Sequence, residues 1–285
     1  MTALATDTKF LWLEITGKCQ LDCGHCCADS GPDGTHGTMT TDQWKEVIFE
    51  AAGLGVRRVQ FIGGEPTLHP GLLDLIRHAH SFALEIEVFS NLVHITPTMW
   101  RVFKERGVSL ATSYYSDDPD EHAAITKRPT YARTKGNISI ARSLGIPLRV
   151  GVIDVRNGQR VDQARAELVN LGVPQIGYDR LREVGRAASS SCGTGEKVTD
   201  ATQLCGGCGD GVAAVMPDGR VRPCTMARTV TVGDLKNRSL AHVLGNMPAI
   251  REDLVRAGMP DRKSGAPGDC APQGGNCYPI NCFPR

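Results

Sequence analysis

The chain has 285 residues, 32 of them basic and 31 acidic, for a formal net charge of +1. It can bury a sizeable core, as one large domain or as one domain with a small appendage. The balanced charge, with no run of Lys or Arg, excludes the electrostatic footprint of a nucleic-acid or anionic-membrane binder.

The first nine residues lack the basic start and apolar stretch of a secretory signal, and no apolar run reaches the length of a membrane span, which predicts a cytoplasmic protein. Residues 10–16, Phe-Leu-Trp-Leu-Glu-Ile-Thr, form a short apolar run that reads as a buried strand. It ends in Cys19-Gln-Leu-Asp-Cys23-Gly-His25-Cys26-Cys27, so these cysteines hang on a loop at the carboxyl end of a strand. A Gly/Pro/Asp-rich linker over 29–37 follows. Thr40 or Thr41 then caps a helix on which Trp44, Val47, Ile48 and Ala51 recur at helical spacing. The next strand, 56–62, runs into Gly63-Gly64-Glu65-Pro66, where glycines let the backbone approach a ligand and proline fixes the turn.

Alternation continues with a helix over 72–81, a strand over 84–89 ending at Ser90-Asn91, and a helix over 97–106. Strands over 108–113, 146–155 and 175–179 follow, with helices over 131–144 and 161–171. Six strands alternating with helices predict parallel βα units with right-handed crossovers. The count alone allows either a partial barrel or a doubly wound sheet. In both, ligands sit at the carboxyl ends of strands, which singles out the cysteine loop, 63–66, Ser90, Asn91, Ser113, Asp154 and 180–186. Tyr114 and Tyr115 fall at the rim. Arg128 and Arg133 lie in a polar stretch, better suited to a solvated surface than to a ligand.

All eleven cysteines lie in two groups: four between residues 19 and 27, and seven between 192 and 282. In a reducing compartment they point to metal rather than to disulfides. Cys19, Cys23 and Cys26 can converge on one inorganic centre. Three ligands leave one metal position open for something that must bind and react, whereas a structural site closes with four. A zinc knuckle that recruits His25 or Cys27 is the alternative; we read Cys27 as a small buried hydrophobe.

Beyond residue 186 the composition changes to a Ser/Gly linker containing Cys192. Cys205-Gly-Gly-Cys208 then precedes two short apolar segments separated by Pro217-Asp-Gly219. That turn signal predicts a β-hairpin that returns Cys224 toward Cys208, a clamp for a metal cluster. Cys270, Cys277 and Cys282 complete the set; a zinc ribbon is the alternative.

The Cys-x3-Cys-x2-Cys loop after a strand, joined with Gly-Gly-Glu-Pro at the next strand end, resembles the radical S-adenosylmethionine (SAM) enzymes. The C-terminal arrangement, Cys208, Gly219 and Cys224 followed by Val232-Gly-Asp-Leu235, resembles their auxiliary-cluster (SPASM or twitch) extension. The resemblance implies an α/β fold: a partial (β/α)6 TIM-like barrel over 1–186, with a small Cys-rich extension containing a β-hairpin over 187–285. It implies a [4Fe–4S] cluster on Cys19, Cys23 and Cys26 whose open iron chelates SAM and cleaves it reductively to a 5′-deoxyadenosyl radical. Gly63 to Pro66 would face the SAM amino group, with Glu65 at the carboxylate position, His25 against adenine and Ser113 near the ribose. At least one auxiliary [4Fe–4S] cluster would use Cys205, Cys208, Cys224 and one of Cys270, Cys277 or Cys282.

A reductant such as flavodoxin or ferredoxin is implied too. The expected substrate is a ribosomally made peptide, crosslinked or epimerised in natural-product biosynthesis. About nine residues precede the first strand, too few for an N-terminal leader-binding domain. This raises two alternatives: a separate leader-binding protein, or a dehydrogenase or epimerase of a small molecule such as an aminocyclitol or sugar. A non-catalytic iron–sulfur or zinc protein would need no SAM.

Overall fold

The computed structural model of the protein describes residues 7–188 and 200–261. Cys192, Cys270, Cys277 and Cys282 lie outside the described residues. Six parallel strands, β1 (Phe10–Thr16), β2 (Arg58–Gly63), β3 (Glu85–Phe89), β4 (Ser109–Tyr114), β5 (Leu148–Asp154) and β6 (Gln175–Arg180), pair in chain order. Helices connect them: α1 (Thr41–Gly53), α2 (Leu72–Ser81), α3 (Pro97–Glu105), α4 (Pro119–Thr126) and α5 (Tyr131–Ser143), then α6 (Val161–Asn170). The sheet does not close on itself, which makes it a partial barrel.

Local signals account for most of these elements. The Thr40 hydroxyl accepts from the Gln43 amide at 3.2 Å while the Gln43 side chain accepts from the Thr40 amide at 2.8 Å, a reciprocal cap for α1. Trp44, Val47, Ile48 and Ala51 are the residues that α1 buries. Helix α4 was not expected from the sequence. Its apolar residues do not line one face; its start signals are Asp118, which caps the Glu121 amide at 2.8 Å, and Pro119 at the first turn.

The predicted hairpin forms from β7 (Val212–Val215) and β8 (Arg220–Arg222), with β9 (Gly233–Asp234) and two further helices, α7 (Leu240–Leu244) and α8 (Met247–Arg256), beyond it. Its placement was not foreseen. β7 pairs in parallel with β1, Phe10 opposite Val212 and Leu13 opposite Val215, so the hairpin continues the barrel sheet. The nine strands run β6-β5-β4-β3-β2-β1-β7-β8-β9.

Strand periodicity divides the core. Leu11, Leu13 and Ile15 join the large cluster under the helices, while Phe10 and Trp12 pack with Leu204, Cys208, Val212, Met216, Cys224 and Leu254. Among the described residues no helix is long and apolar enough to cross a membrane.

At the amino ends of the strands a cavity of about 290 Å³ is walled by Phe10, Arg58, Glu85, Ser109, Leu148 and Gln175. Its buried charges are matched within the wall. Arg149 donates to both Glu87 oxygens at 2.7 Å, and Gln60 adds a further bond to Glu87. The pair is 7% and 9% exposed, so removing one partner leaves a buried charge. Arg149→Met is expected to cost about 3–5 kcal/mol in urea unfolding. Adding Glu87→Gln to that variant should recover most of the loss.

Candidate functional site

The opposite end of the sheet carries the candidate site. The β1–β2 register slips between Glu14 and Thr16, which sets Thr16 opposite Gly63. Beyond the slip the two loops stay paired: the Gly64 amide donates to Thr16 O at 2.7 Å and the Glu65 amide to Lys18 O at 2.8 Å. The cysteine loop therefore begins against the Gly-Gly turn. Only glycine permits this approach. A Cβ on Gly63, whose φ is +143°, would lie 2.2 Å from Thr16 O, and one on Gly64 2.3 Å from Lys18 O.

Cys19, Cys23 and Cys26 open onto one cleft of about 190 Å³, together with Cys27, His25, Gly63, Gly64, Asn91, Ser113 and Tyr115. The sulfurs have donors arranged round them. The Leu21 amide approaches Cys19 Sγ at 3.4 Å, Asn91 Nδ2 the same sulfur at 3.6 Å, and the Ser30 amide Cys26 Sγ at 3.4 Å. Such N–H···S contacts favour the thiolate and tune bound iron. Burial nevertheless pushes the Cys19 and Cys23 thiols up to about 12, with repulsion from Glu65 and Cys26 adding at Cys19 and from Cys26 and Cys19 at Cys23. Three thiols facing one cleft, whose thiolate forms would repel one another, are a donor set that a soft cation compensates, because a coordinating thiol is deprotonated outright.

Among the described residues no three His, Cys, Asp or Glu side chains close around a single metal ion. In a cubane each cysteine takes its own iron, so its sulfurs need only face a common space. The donor set fits such a cluster.

The remaining expected residues fall into two sets. His25 lines the cleft, its Nε2 3.0 Å from Tyr115 Oη, and burial followed by the nearby Arg186 charge pulls its pKa down to about 4. Ser113 and Asn91 line it as well, and Cys27 is half-buried there rather than fully enclosed. Glu65, by contrast, is fully buried with its carboxylate engaged by the Thr67 amide, the Thr67 hydroxyl and the Asn91 amide at 3.0, 2.7 and 2.7 Å. It holds the turn and ties it to Asn91, while Gly63 and Gly64 supply the wall. Pro66 is buried at the start of the following 3-10 turn. Tyr114 points the other way from Tyr115, its hydroxyl donating to Glu167 on α6. Arg133 is exposed, and Arg128 is spent on Gln20 O at 3.3 Å.

Arg186 is a contact that the sequence pattern could not assign. Its guanidinium donates to Asp22 Oδ1, Cys23 O, Ser30 O and Asp29 Oδ1 at 2.8, 2.7, 2.7 and 3.2 Å, and its amide to Cys26 O at 2.9 Å. The segment after β6 thereby straps the cysteine loop. Asp179 near the end of β6 and Arg182 just after it form a buried pair at 3.3 Å on the cleft wall. Burial pushes the Asp179 carboxyl up to about 6 against the pull of Arg182.

In the second cysteine group, Cys205, Cys208 and Cys224 are all buried, and the Gly209 amide donates to Pro223 O at 2.9 Å, joining the two ends of the hairpin segment as expected. Cys208 is in hydrogen-bonding contact with both other thiols. Adding a methyl at Gly64 tests the first site. Gly64→Ala should cost about 1–3 kcal/mol of local strain. The expected result is a clear fall in iron retained after anaerobic reconstitution, with the circular dichroism spectrum unchanged.

Comparison with known proteins agrees with this geometry. The Radical SAM superfamily model matches residues 13–168, and the SPASM iron–sulfur cluster-binding domain model matches residues 205–278. A PqqA peptide cyclase of Bradyrhizobium diazoefficiens is 39% identical over 84 residues, 30% of this chain and 22% of that protein. One from Streptomyces rochei is 26% identical over 260 residues, 79% of this chain and 71% of that protein. The chain thus spans about a fifth of the first relative and under three quarters of the second. Streptococcus suis SuiB bound to precursor peptide SuiA superposes with a TM-score of 0.69 at 14% identity, covering 86% of this chain and 66% of that one, a likeness of fold. With a family model spanning more than half of its length, the chain belongs to the radical SAM superfamily, and it carries a SPASM-type iron–sulfur domain after the barrel.

Proposed function

We propose that the protein modifies a ribosomally made peptide by hydrogen-atom abstraction, forming a crosslink or inverting a stereocentre. The observation that carries this reading is the shared cleft: three thiols, two of them with N–H···S donors, face a glycine wall at the carboxyl ends of parallel strands. Cys19, Cys23 and Cys26 hold the first cluster in this reading, with Gly63, Gly64, His25, Asn91 and Ser113 around SAM. When bound, the cluster supplies the electron that cleaves SAM to a 5′-deoxyadenosyl radical. Cys205, Cys208, Cys224 and one of Cys270, Cys277 or Cys282 hold an auxiliary cluster, so residues 1–186 serve SAM and 187–285 serve the second centre.

What the chain's own residues contribute is shape and dryness. Ile62, Phe89, Ile153, Leu181 and Met226 give the cleft an apolar side that suits an aliphatic or aromatic side chain and keeps water from a reactive carbon. Leu181, 42% exposed at the rim, is a natural first contact for such a side chain. The peptide class is supported by the relatives named peptide cyclases. A flavodoxin or ferredoxin as reductant, a separate leader-binding protein and a cytoplasmic setting complete the proposal; the free thiols of the described residues suit a reducing compartment.

Anaerobic reconstitution with dithionite tests it. Wild type is expected to hold about eight irons, from two four-iron clusters, and to release 5′-deoxyadenosine from SAM. Changing Cys19, Cys23 and Cys26 together to alanine should abolish that release and halve the iron. Changing Cys205, Cys208 and Cys224 should spare cleavage of SAM yet stop peptide modification, followed as loss of two hydrogens or as solvent deuterium uptake. No 5′-deoxyadenosine from wild type, or undiminished iron in the first variant, would overturn the reading.

A further inference from the structure

Glu14 lies on β1, a strand with all seven residues buried, and its side chain is 4% exposed. An ionised carboxylate in that position needs a charged partner. Arg228, from the segment after β8, supplies it: the guanidinium donates to the two Glu14 oxygens at 2.6 and 3.1 Å. The same guanidinium reaches Ala28 O, one residue past Cys27, at 3.3 Å. Burial works against the arginine cation, but Glu14 outweighs it, with Cys27 and Cys26 adding to the attraction, so its pKa is raised. Three parts of the chain meet at this pair: the central strand, the tail of the first cysteine loop, and the segment just beyond Cys224.

We infer that Arg228 and Glu14 are positioning residues that set the reduction potential of the metal held by Cys19, Cys23 and Cys26. The inference rests on the cluster reading of that site. Reduction adds one negative charge to a buried centre. A fixed cation nearby favours that charge and a fixed anion opposes it, and in a low-dielectric interior neither is screened by water. Arg228 and Glu14 nearly cancel as a pair. At Cys27 both members are felt, the cation ahead of the anion, and the cation is felt at Cys26 as well; it also faces Arg222, a second cation on β8. The pair therefore holds a net local field that each partner limits in the other.

The sign of the effect separates this role from that of a simple strap. Arg228→Gln leaves Glu14 uncompensated and should lower the ratio of reduced to oxidised cluster at fixed potential by at least about tenfold, about 59 mV for a one-electron couple. Glu14→Gln leaves the cation and should raise that ratio. The double variant, neutral again, should return close to wild type, and Arg228→Lys, which keeps the charge, should stay there. The experiment is an anaerobic redox titration without SAM, monitored by electron paramagnetic resonance and with iron content measured in each variant.

If Arg228→Gln and Arg228→Lys both lose iron, or if the two single variants shift the same way or not at all, the pair is only a strap and the inference fails. The Cys19/Cys23/Cys26 triple alanine variant separates that failure from a deeper one. If wild type shows no signal that this variant loses, both the cluster reading and the inference built on it fall.

Discussion

A single strand, β1, is hydrogen-bonded along both edges and buried on both faces, and the rest of the molecule is arranged by that fact. Its β2 edge fixes the register that brings the Gly-Gly turn against the start of the cysteine loop. Its β7 edge fixes the hairpin that carries the second cysteine group. The period of two sends Leu11, Leu13 and Ile15 into one core and Phe10 and Trp12 into another, the one that also holds Cys208 and Cys224. Both cysteine-bearing segments are thus referred to one rigid element, which is how a scaffold holds side chains to a tight tolerance.

The cysteine loop itself has little secondary structure, and its shape comes from what surrounds it. Gly185, at φ +65°, lets the chain after β6 pass so close that a Cβ there would lie 2.2 Å from Cys27 O. Arg186 then satisfies two loop carboxylates and two loop carbonyls. On the other side the return segment is pinned by the Cys19 amide to Gly31 O at 3.0 Å and the Gly17 amide to Thr35 O at 2.8 Å. A loop with its backbone bonded from two sides can keep three thiols facing one space.

Much of this was legible in the sequence, for reasons that are local. The six barrel strands and most helices announce themselves through period, caps and glycine or proline punctuation, and their observed ends fall within two residues of the expected ones. The hairpin was legible because Pro217-Asp-Gly219 is a turn signal. The union of β7 with β1 was not, since parallel pairing between distant segments leaves no mark in either one. Glu65 shows a subtler gap: its place beside the glycines was plain, but that its carboxylate would serve Thr67 and Asn91 depends on a neighbouring strand end. Arg186 lies in the strand-end stretch 180–186 that the sequence singles out, but its partners in the cysteine loop are set by tertiary contact alone, and Arg228 stands in a polar stretch like any other arginine. Glu14 alone carried a hint, as a charge inside an otherwise apolar run.

The pairing of residue 10 with residue 212 also bears on how the chain reaches this state. During synthesis β1 emerges early and finds β2 soon after, but its other edge stays open until nearly the whole barrel has been made. A fully buried apolar strand with an unpaired edge is a template for unwanted association. Parallel contacts this distant in sequence are slow to form. The hairpin therefore has a second role besides carrying cysteines: it covers the exposed edge of a nascent barrel, and its arrival completes the sheet.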